Sequence, residues 1–238
     1  MKNIVKILLV IIVILLIFAG VQTFAYHQDP NKLDEYTTVL GKNSNGTVYK
    51  IICGNTSSKD TAVVILGVHS LESGIHNATN ETLINFTKSN NLHKKYVVYF
   101  IKLNFNDSGM NTSDYDTNRH MGELLANKYV VPDVDNYDPH VIVDVHEMED
   151  YWDLQRYVGI IDNKSDVNVD YANKIGNATT YPVYKINSGT SPQWVTIPLY
   201  KKGYNVMIFE TAQADTQKNK TKTAIDLVRG IDNLPIEC

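Results

Sequence analysis

The sequence predicts an α/β domain built on a mixed, mostly parallel β-sheet. Three observations predict it. Apolar runs of strand length alternate with segments of helical periodicity along the chain. Two of those runs, TAVVILGVH at 61–69 and HVIVDVH at 140–146, are mainly apolar without alternation, as strands covered on both faces are. The pattern then runs to the C-terminus without an internal linker, over about 190 residues, which is the size of one domain.

The elements follow in order. Val48–Cys53 reads as a strand and Thr61–His69 as a buried one. Ile75–Ser89 reads as a helix, and Tyr96–Leu103 (YVVYFIKL) as a strand. Arg119–Val131 has helical periodicity and is expected to end before Pro132. His140–His146 is a third buried strand. Tyr157–Ile161 and Val183–Ile186 are shorter strands, with a helix near Val167–Ile175 between them. Asn205–Glu210 (NVMIFE) is another buried strand. Thr216–Ile231 is a final helix with Ala224, Leu227, Val228 and Ile231 on one side. Residues 26–45 are polar and read as an irregular linker, so the single domain is placed at 46–238.

Composition excludes several classes. The chain has 238 residues, 43% of them hydrophobic, which is enough for a core. It carries 26 acidic against 22 basic residues, with no basic stripe of the kind that binds nucleic acid. Two cysteines are too few for a disulfide scaffold or a cysteine-built zinc module. No Gly-x-Ser-x-Gly elbow and no phosphate-cradling glycine loop occurs.

The N-terminus points outside the cytoplasm. Lys2 and Lys6 precede an apolar run from Ile7 to Val21, short for a spanning helix and suited to a secretory signal. Thr23-Phe24-Ala25 permits cleavage before Tyr26; otherwise residues 1–25 stay as a membrane anchor, the only membrane contact expected. Ten Asn-x-Ser/Thr acceptor motifs agree with export, at Asn45, Asn55, Asn77, Asn80, Asn85, Asn106, Asn111, Asn163, Asn177 and Asn219. The alternative is an Asn-rich chain that carries no sugar. In an oxidising compartment Cys53 and Cys238 could form a bridge, or stay two separate thiols.

Three strands end in unusual polar residues: His69 followed by Glu72, Asp144-Val145-His146, and Glu210. Ligands of open α/β sheets sit beyond the carboxyl ends of strands, so these groups can converge. His69 and Glu72 are three residues apart, a spacing that puts both on one side of a tight turn. With His146 they make two histidines and a carboxylate, a set that holds one Zn2+ and leaves a position for water. A carboxylate outside that set must then move the water's proton, and Glu210 is the candidate. It follows an apolar strand, so burial should raise its pKa. Asp144 shares a strand face with His146 and can orient it.

These residues also resemble a known family. Gly67-Val68-His69-Ser70-Leu71-Glu72 looks like the first zinc-binding segment of the metallocarboxypeptidases and of their relatives, the succinylglutamate desuccinylase/aspartoacylase proteins. Val143-Asp144-Val145-His146 resembles their second segment, Asp116-Thr117-Asn118-Arg119 their Asp-Leu-Asn-Arg stretch, and Ile208-Phe209-Glu210 their terminal strand. The resemblance runs from about residue 48 to 215 and implies a three-layer α/β/α sandwich, zinc carboxypeptidase-like. It implies that Asn118 and Arg119 bind the free carboxylate of a substrate. It also implies a hydrolase that cleaves an amide next to a free carboxylate; the export signal favours a peptide there, with the cell wall as one source. The alternatives are a deacylase of N-acyl amino acids and an inactive glycosylated binding module.

The chain departs from that pattern in one important respect. Its three arginines are Arg119, Arg156 and Arg229, so none lies between Glu72 and Asn118, where the peptidases carry one for the scissile carbonyl. Zinc and Arg119 would share that task, or Lys102 or Arg156 would take it. Tyr181, Tyr184 and Tyr200 are the candidates for a substrate-covering tyrosine, and Trp152 and Trp194 for the wall of a cleft.

Overall fold

Valine, isoleucine and tyrosine fill the runs that pair into the sheet, because branched and aromatic side chains suit a pleated surface packed on both sides. The computed structural model describes residues 36–104, 112–161, 166–186 and 191–235. In chain order its elements are β1 (Thr37–Lys42), β2 (Gly46–Gly54), β3 (Thr61–Leu66), α1 (Ser73–Lys88) and β4 (Lys95–Leu103). Then come α2 (Thr112–Leu125), β5 (Val141–Met148), β6 (Tyr157–Ile160), α3 (Asp166–Thr179) and β7 (Val183–Lys185). Last are α4 (Ile197–Lys201), β8 (Val206–Ala212) and α5 (Gln217–Asp232).

The eight strands form one sheet in the order β1-β2-β4-β3-β5-β8-β6-β7. Strands β4, β3, β5 and β8 run parallel through its centre. The pairings β1/β2, β2/β4 and β6/β8 are antiparallel, and β6/β7 is parallel. The sheet is therefore mixed and mostly parallel, as the sequence predicts.

Strand alternation divides the core into two layers. On one face Ala62, Val64, Leu66, Val143 and Val145 pack with Ile75 and Leu83 of α1, Tyr171 and Ile175 of α3, and Leu227 and Ile231 of α5. On the other, Val63, Ile65 and Ile142 pack with Leu125, Val130, Val134, Val195 and Leu199. Helices thus cover both faces, and the three-layer sandwich is present. Each fully buried Leu or Ile contributes about 1.5–3 kcal/mol, so the layers hold by sum rather than by any one residue.

Several boundaries differ from the sequence expectations. The segment read as an irregular linker contains β1, an edge strand whose residues are nowhere fully buried, so no apolar alternation marks it. Strand β3 stops at Leu66 rather than His69, because Gly67 turns the chain out of the sheet at φ +79. Helix α2 begins at Thr112 and passes through a π-turn at Ala126–Val130 into a further turn at Val131–Asp133. Pro132 sits at the start of that turn, where no N–H is required, so it does not end the helix. Strands β5 and β8 each run two residues past the expected His146 and Glu210.

Cys53 lies in the core, where burial pushes its thiol up to about 11. Cys238 and residues 1–35 lie outside the described residues, so the expected bridge and signal segment do too. Of the acceptor asparagines, Asn55, Asn77, Asn85, Asn177 and Asn219 are exposed, while Asn106, Asn111 and Asn163 fall outside the described residues.

Candidate metal centre and cleft

The first half of the site is a loop shaped by two glycines. A β-carbon at Gly67 would sit 2.1 Å from the Ile101 carbonyl oxygen, so only glycine makes this turn. The chain then enters a short 3-10 turn, Ser70–Glu72, with His69 immediately before it. In that geometry residues three apart lie one above the other. Glu72 Oε1 accordingly lies 2.7 Å from His69 Nδ1.

The second half is a strand. In β5, residues 142, 144 and 146 face the α2 side of the sheet, opposite Val143 and Val145. This brings His146 Nδ1 to 2.8 Å from Glu72 Oε2. The His146 partner in the β5–β8 ladder is Glu210, so the two lie side by side across adjacent parallel strands. The backbone N–H of Glu147 donates to Glu72 Oε2 at 3.1 Å and ties the loop to the strand.

His69, Glu72 and His146 are all buried, and one ligand atom from each lies within 4.8 Å of the others. The remaining ring nitrogens have partners as well. His69 Nε2 lies 3.1 Å from Glu123 Oε1 in a hydrogen bond, and His146 Nε2 lies 3.0 Å from Asp144 Oδ1 in a charge contact without hydrogen-bond alignment. Ser191 Oγ is 3.1 Å from both Asp144 Oδ2 and His146 Nε2, and Thr196 Oγ1 donates to Asp144 Oδ2 at 3.3 Å. Imidazoles that ligate metal have their far nitrogen held in this way.

Charge in the site is strongly organised. Burial favours the neutral acid at Glu72, yet the imidazoles of His69 and His146 hold it well below the usual carboxylate range. Burial likewise opposes a charged His146, but Asp144 and Glu72 outweigh it and hold that imidazole well above the usual range. Glu210 is the opposite case. Burial pushes it up to about 8, aided by Glu72 and Asp144 and countered by His146 and Arg119. Its Oε2 is buried without a hydrogen-bond partner. A two-imidazole, one-carboxylate set with its acid ionised matches a divalent cation of the zinc type, so the residues present fit such a metal.

A cleft of about 650 Å3 opens onto this centre. His69, His146, Arg119 and Glu210 line it, with Asp116, Glu149 and Asp153, and with Tyr151, Trp152, Tyr157 and Ile208 on its apolar side. Arg119 NH1 donates to Glu72 Oε1 at 3.0 Å and lies 3.5 Å from Glu149 Oε1.

The structure therefore brings together His69, Glu72, His146, Asp144, Glu210 and Arg119. Asn118 is buried in α2 and is not among the lining residues. The two substitutes considered for a missing arginine lie elsewhere: Arg156 pairs with Asp215, and Lys102 lies over the rings of Tyr49 and Phe100. Tyr181 stacks on Phe209, and Tyr184 and Tyr200 do not line the cleft; Tyr151 and Tyr157 do. Trp152 lines it, whereas Trp194 is half-buried and packs against the edge of the core, beside His120.

Sequence reasoning missed Glu123, Ser191 and Thr196. Only Gly122 carried a signal for the first. A β-carbon there would lie 1.8 Å from the Val68 carbonyl oxygen, so glycine lets α2 close on the His69 loop and delivers Glu123. Glu147 turns away from the cleft. It is buried on the opposite face, accepting from Ile75 N at 2.6 Å and pairing with Lys220 at 2.7 Å, which caps α1 just after Glu72.

No family profile matches the chain, and no curated protein matches it in sequence. Solved structures do match its fold. A metallo-carboxypeptidase from Burkholderia cenocepacia shares it at a TM-score of 0.54, with 10% identity over 87% of this chain and 65% of its own. A metallo-carboxypeptidase from Pseudomonas aeruginosa, solved with (2-guanidinoethylmercapto)succinic acid, follows at 0.53, with 10% identity over 83% of this chain and 64% of its own. The cell shape determinant protein Csd4 of Helicobacter pylori, solved with a tripeptide, gives 0.52, with 11% identity over 79% of this chain and 56% of its own. The chain thus has the zinc carboxypeptidase-like fold and spans under two thirds of the length of each of these structures.

Proposed function

We propose that this chain is an exported, zinc-dependent amide hydrolase acting on peptides. One observation carries the reading. Two histidines and Glu72 converge from a loop and a strand, while an unpartnered, buried acid, Glu210, stands next to His146 in the same cleft.

His69, Glu72 and His146 would hold the ion. Zinc in such a site lowers the pKa of water and polarises a carbonyl. Glu123 and Asp144 keep the two imidazoles oriented. Glu210 Oε2 accepts the proton of the attacking water and returns it to the leaving nitrogen. Burial suits it to both roles, since an acid titrating near neutrality can take and give a proton at similar cost. Tyr151, Trp152 and Tyr157 give the cleft aromatic walls against which a substrate can pack.

The fold shared with metallo-carboxypeptidases supports hydrolysis, and the protein solved with a tripeptide supports a peptide as substrate. The basic, then apolar, N-terminus and the ten acceptor motifs support export, with the domain outside the cell membrane. A deacylase of small N-acyl amino acids would use the same centre. An inactive module is disfavoured by the retention of His69, Glu72, His146 and Glu210 together.

The decisive experiment measures metal in the purified protein and hydrolysis before and after chelation, on a panel of peptides and N-acyl amino acids. About one zinc per chain is expected, with peptide cleavage lost on chelation and restored by zinc. Preferential cleavage of N-acyl amino acids would move the reading to the deacylase. Cleavage that survives complete removal of metal would end it.

A further inference from the structure

The charge lining the cleft is unbalanced. Under the hydrolase reading, on which the inference rests, that imbalance bears on substrate class. Among the described residues that line the cleft, Arg119 has the only lysine or arginine side chain. Its guanidinium NH1 lies 3.0 Å from Glu72 Oε1 and 3.5 Å from Glu149 Oε1. That places the fork of donors at the edge of the His69–Glu72–His146 centre, where a scissile carbonyl must lie. Apart from Arg119, Glu210 and the two histidines, the charged lining groups are Asp116, Glu149 and Asp153, all acids.

A substrate with a free carboxylate beside the scissile bond needs a cation beyond the reaction centre to receive it. The one such cation in the described lining, Arg119, already lies against Glu72 and Glu149. The other charged lining groups outside the centre are acids, and like charges brought together in a cleft are strongly disfavoured. The aromatic side of the mouth gives no compensation. Tyr151 is 74% exposed and Trp152 53%, with ring centroids 5.4 Å apart, and such faces favour cations and neutral groups over anions.

We propose that the cleft takes amides whose end beyond the scissile bond is neutral or cationic rather than a free carboxylate, and that Arg119 serves the scissile carbonyl itself. This departs from the carboxylate-binding role that the sequence resemblance implies for Arg119. It also accounts for the absence of an arginine between Glu72 and Asn118. A planar guanidinium beside the centre supplies the donors that stabilise an oxyanion as it develops.

One acetylated tripeptide in three forms tests this: ending in a carboxylate, in a carboxamide, or in a 2-aminoethylamide. Binding of each to zinc-loaded Glu210→Gln is measured by calorimetry, and turnover by the zinc-loaded natural protein. The carboxylate form should bind about tenfold more weakly than the aminoethylamide at low salt, with the gap narrowing near about 0.5 M salt. Arg119→Ala should lower kcat about 100-fold for every form that is cleaved, with their order unchanged. Tightest binding of the carboxylate form, with that advantage lost in Arg119→Ala, would overturn the proposal. So would equal affinity for all three forms, or none. The binding order does not depend on turnover. If the order holds without hydrolysis, the charge selectivity stands and the hydrolase reading falls; hydrolysis with the carboxylate form preferred gives the reverse.

Discussion

The two histidines of the centre are held by different kinds of structure. His146 is inside β5, and the carboxylate that orients it, Asp144, is two residues away on the same strand. His69 is on a loop, and its carboxylate, Glu123, comes from a helix 54 residues later. The strand arm is fixed by local alternation and by the β5–β8 ladder. The loop arm is fixed by two close backbone approaches, each possible only at glycine. The first arm is a property of a short sequence; the second exists only once α2 has docked.

The strand arm should respond most to charge. Glu210 is held protonated by burial, to about 8 against an ordinary 4.5. A raised acid favours the fold while it is neutral. Its contribution is complete below the unfolded pKa and is lost as pH rises through the folded one. Metal-free protein should therefore lose stability, relative to Glu210→Gln, between about pH 5 and 8, by an amount on the order of a few kcal/mol. Chemical denaturation of both proteins across that range measures it. Parallel stability curves would show that Glu210 is not held in a buried, neutral state.

The loop arm should respond most to sterics. Gly122→Ala places a carbon against the Val68 carbonyl, and neither backbone can yield cheaply. A loss of about 3 kcal/mol is expected, at the upper end for overpacking. Zinc affinity should fall with it, because the same displacement withdraws Glu123 from His69. A variant of normal stability and normal zinc affinity would mean that α2 does not press on the loop.

This contrast explains what could be read from the sequence. The sheet was legible because strands buried on both faces leave continuous apolar runs, and β3, β4, β5 and β8 all have them. His146 with Asp144, and His69 with Glu72, were legible because each pair lies within three residues. Strand β1 was not, because an edge strand needs no apolar face. Glu123 was not, because no periodicity in α2 distinguishes an acid aimed at His69 from one aimed at solvent. Ser191 and Thr196 were not, because hydroxyls acquire their role only through the carboxylate they meet, 47 and 52 residues away. Arg119 was legible as a site residue, but its position beside Glu72 depends on how α2 packs.

The smallest expected effect compares the two supporting carboxylates directly. Removing a group that orients a metal-binding histidine costs about 10–100-fold in metal affinity. Glu123→Gln and Asp144→Asn both keep the shape and remove the charge. They should not fall equally. Without the Asp144 charge, Ser191 Oγ still lies 3.1 Å from His146 Nε2, and the ring keeps a partner. Glu123 is the one partner found for His69 Nε2 among the described residues, and its other oxygen is shared with His120 Nδ1 at 3.3 Å. Zinc titration against a competing chelator should place Glu123→Gln near the 100-fold end and Asp144→Asn near the tenfold end. Glu123→Asp, which restores the charge at a shorter reach, should recover part of the loss. Ser191→Ala in the Asp144→Asn background should bring the strand arm down to the level of the loop arm, since both rings would then lack support. Equal losses in the two single variants would mean that the hydroxyls do not hold His146, and that the strand arm is no better supported than the loop.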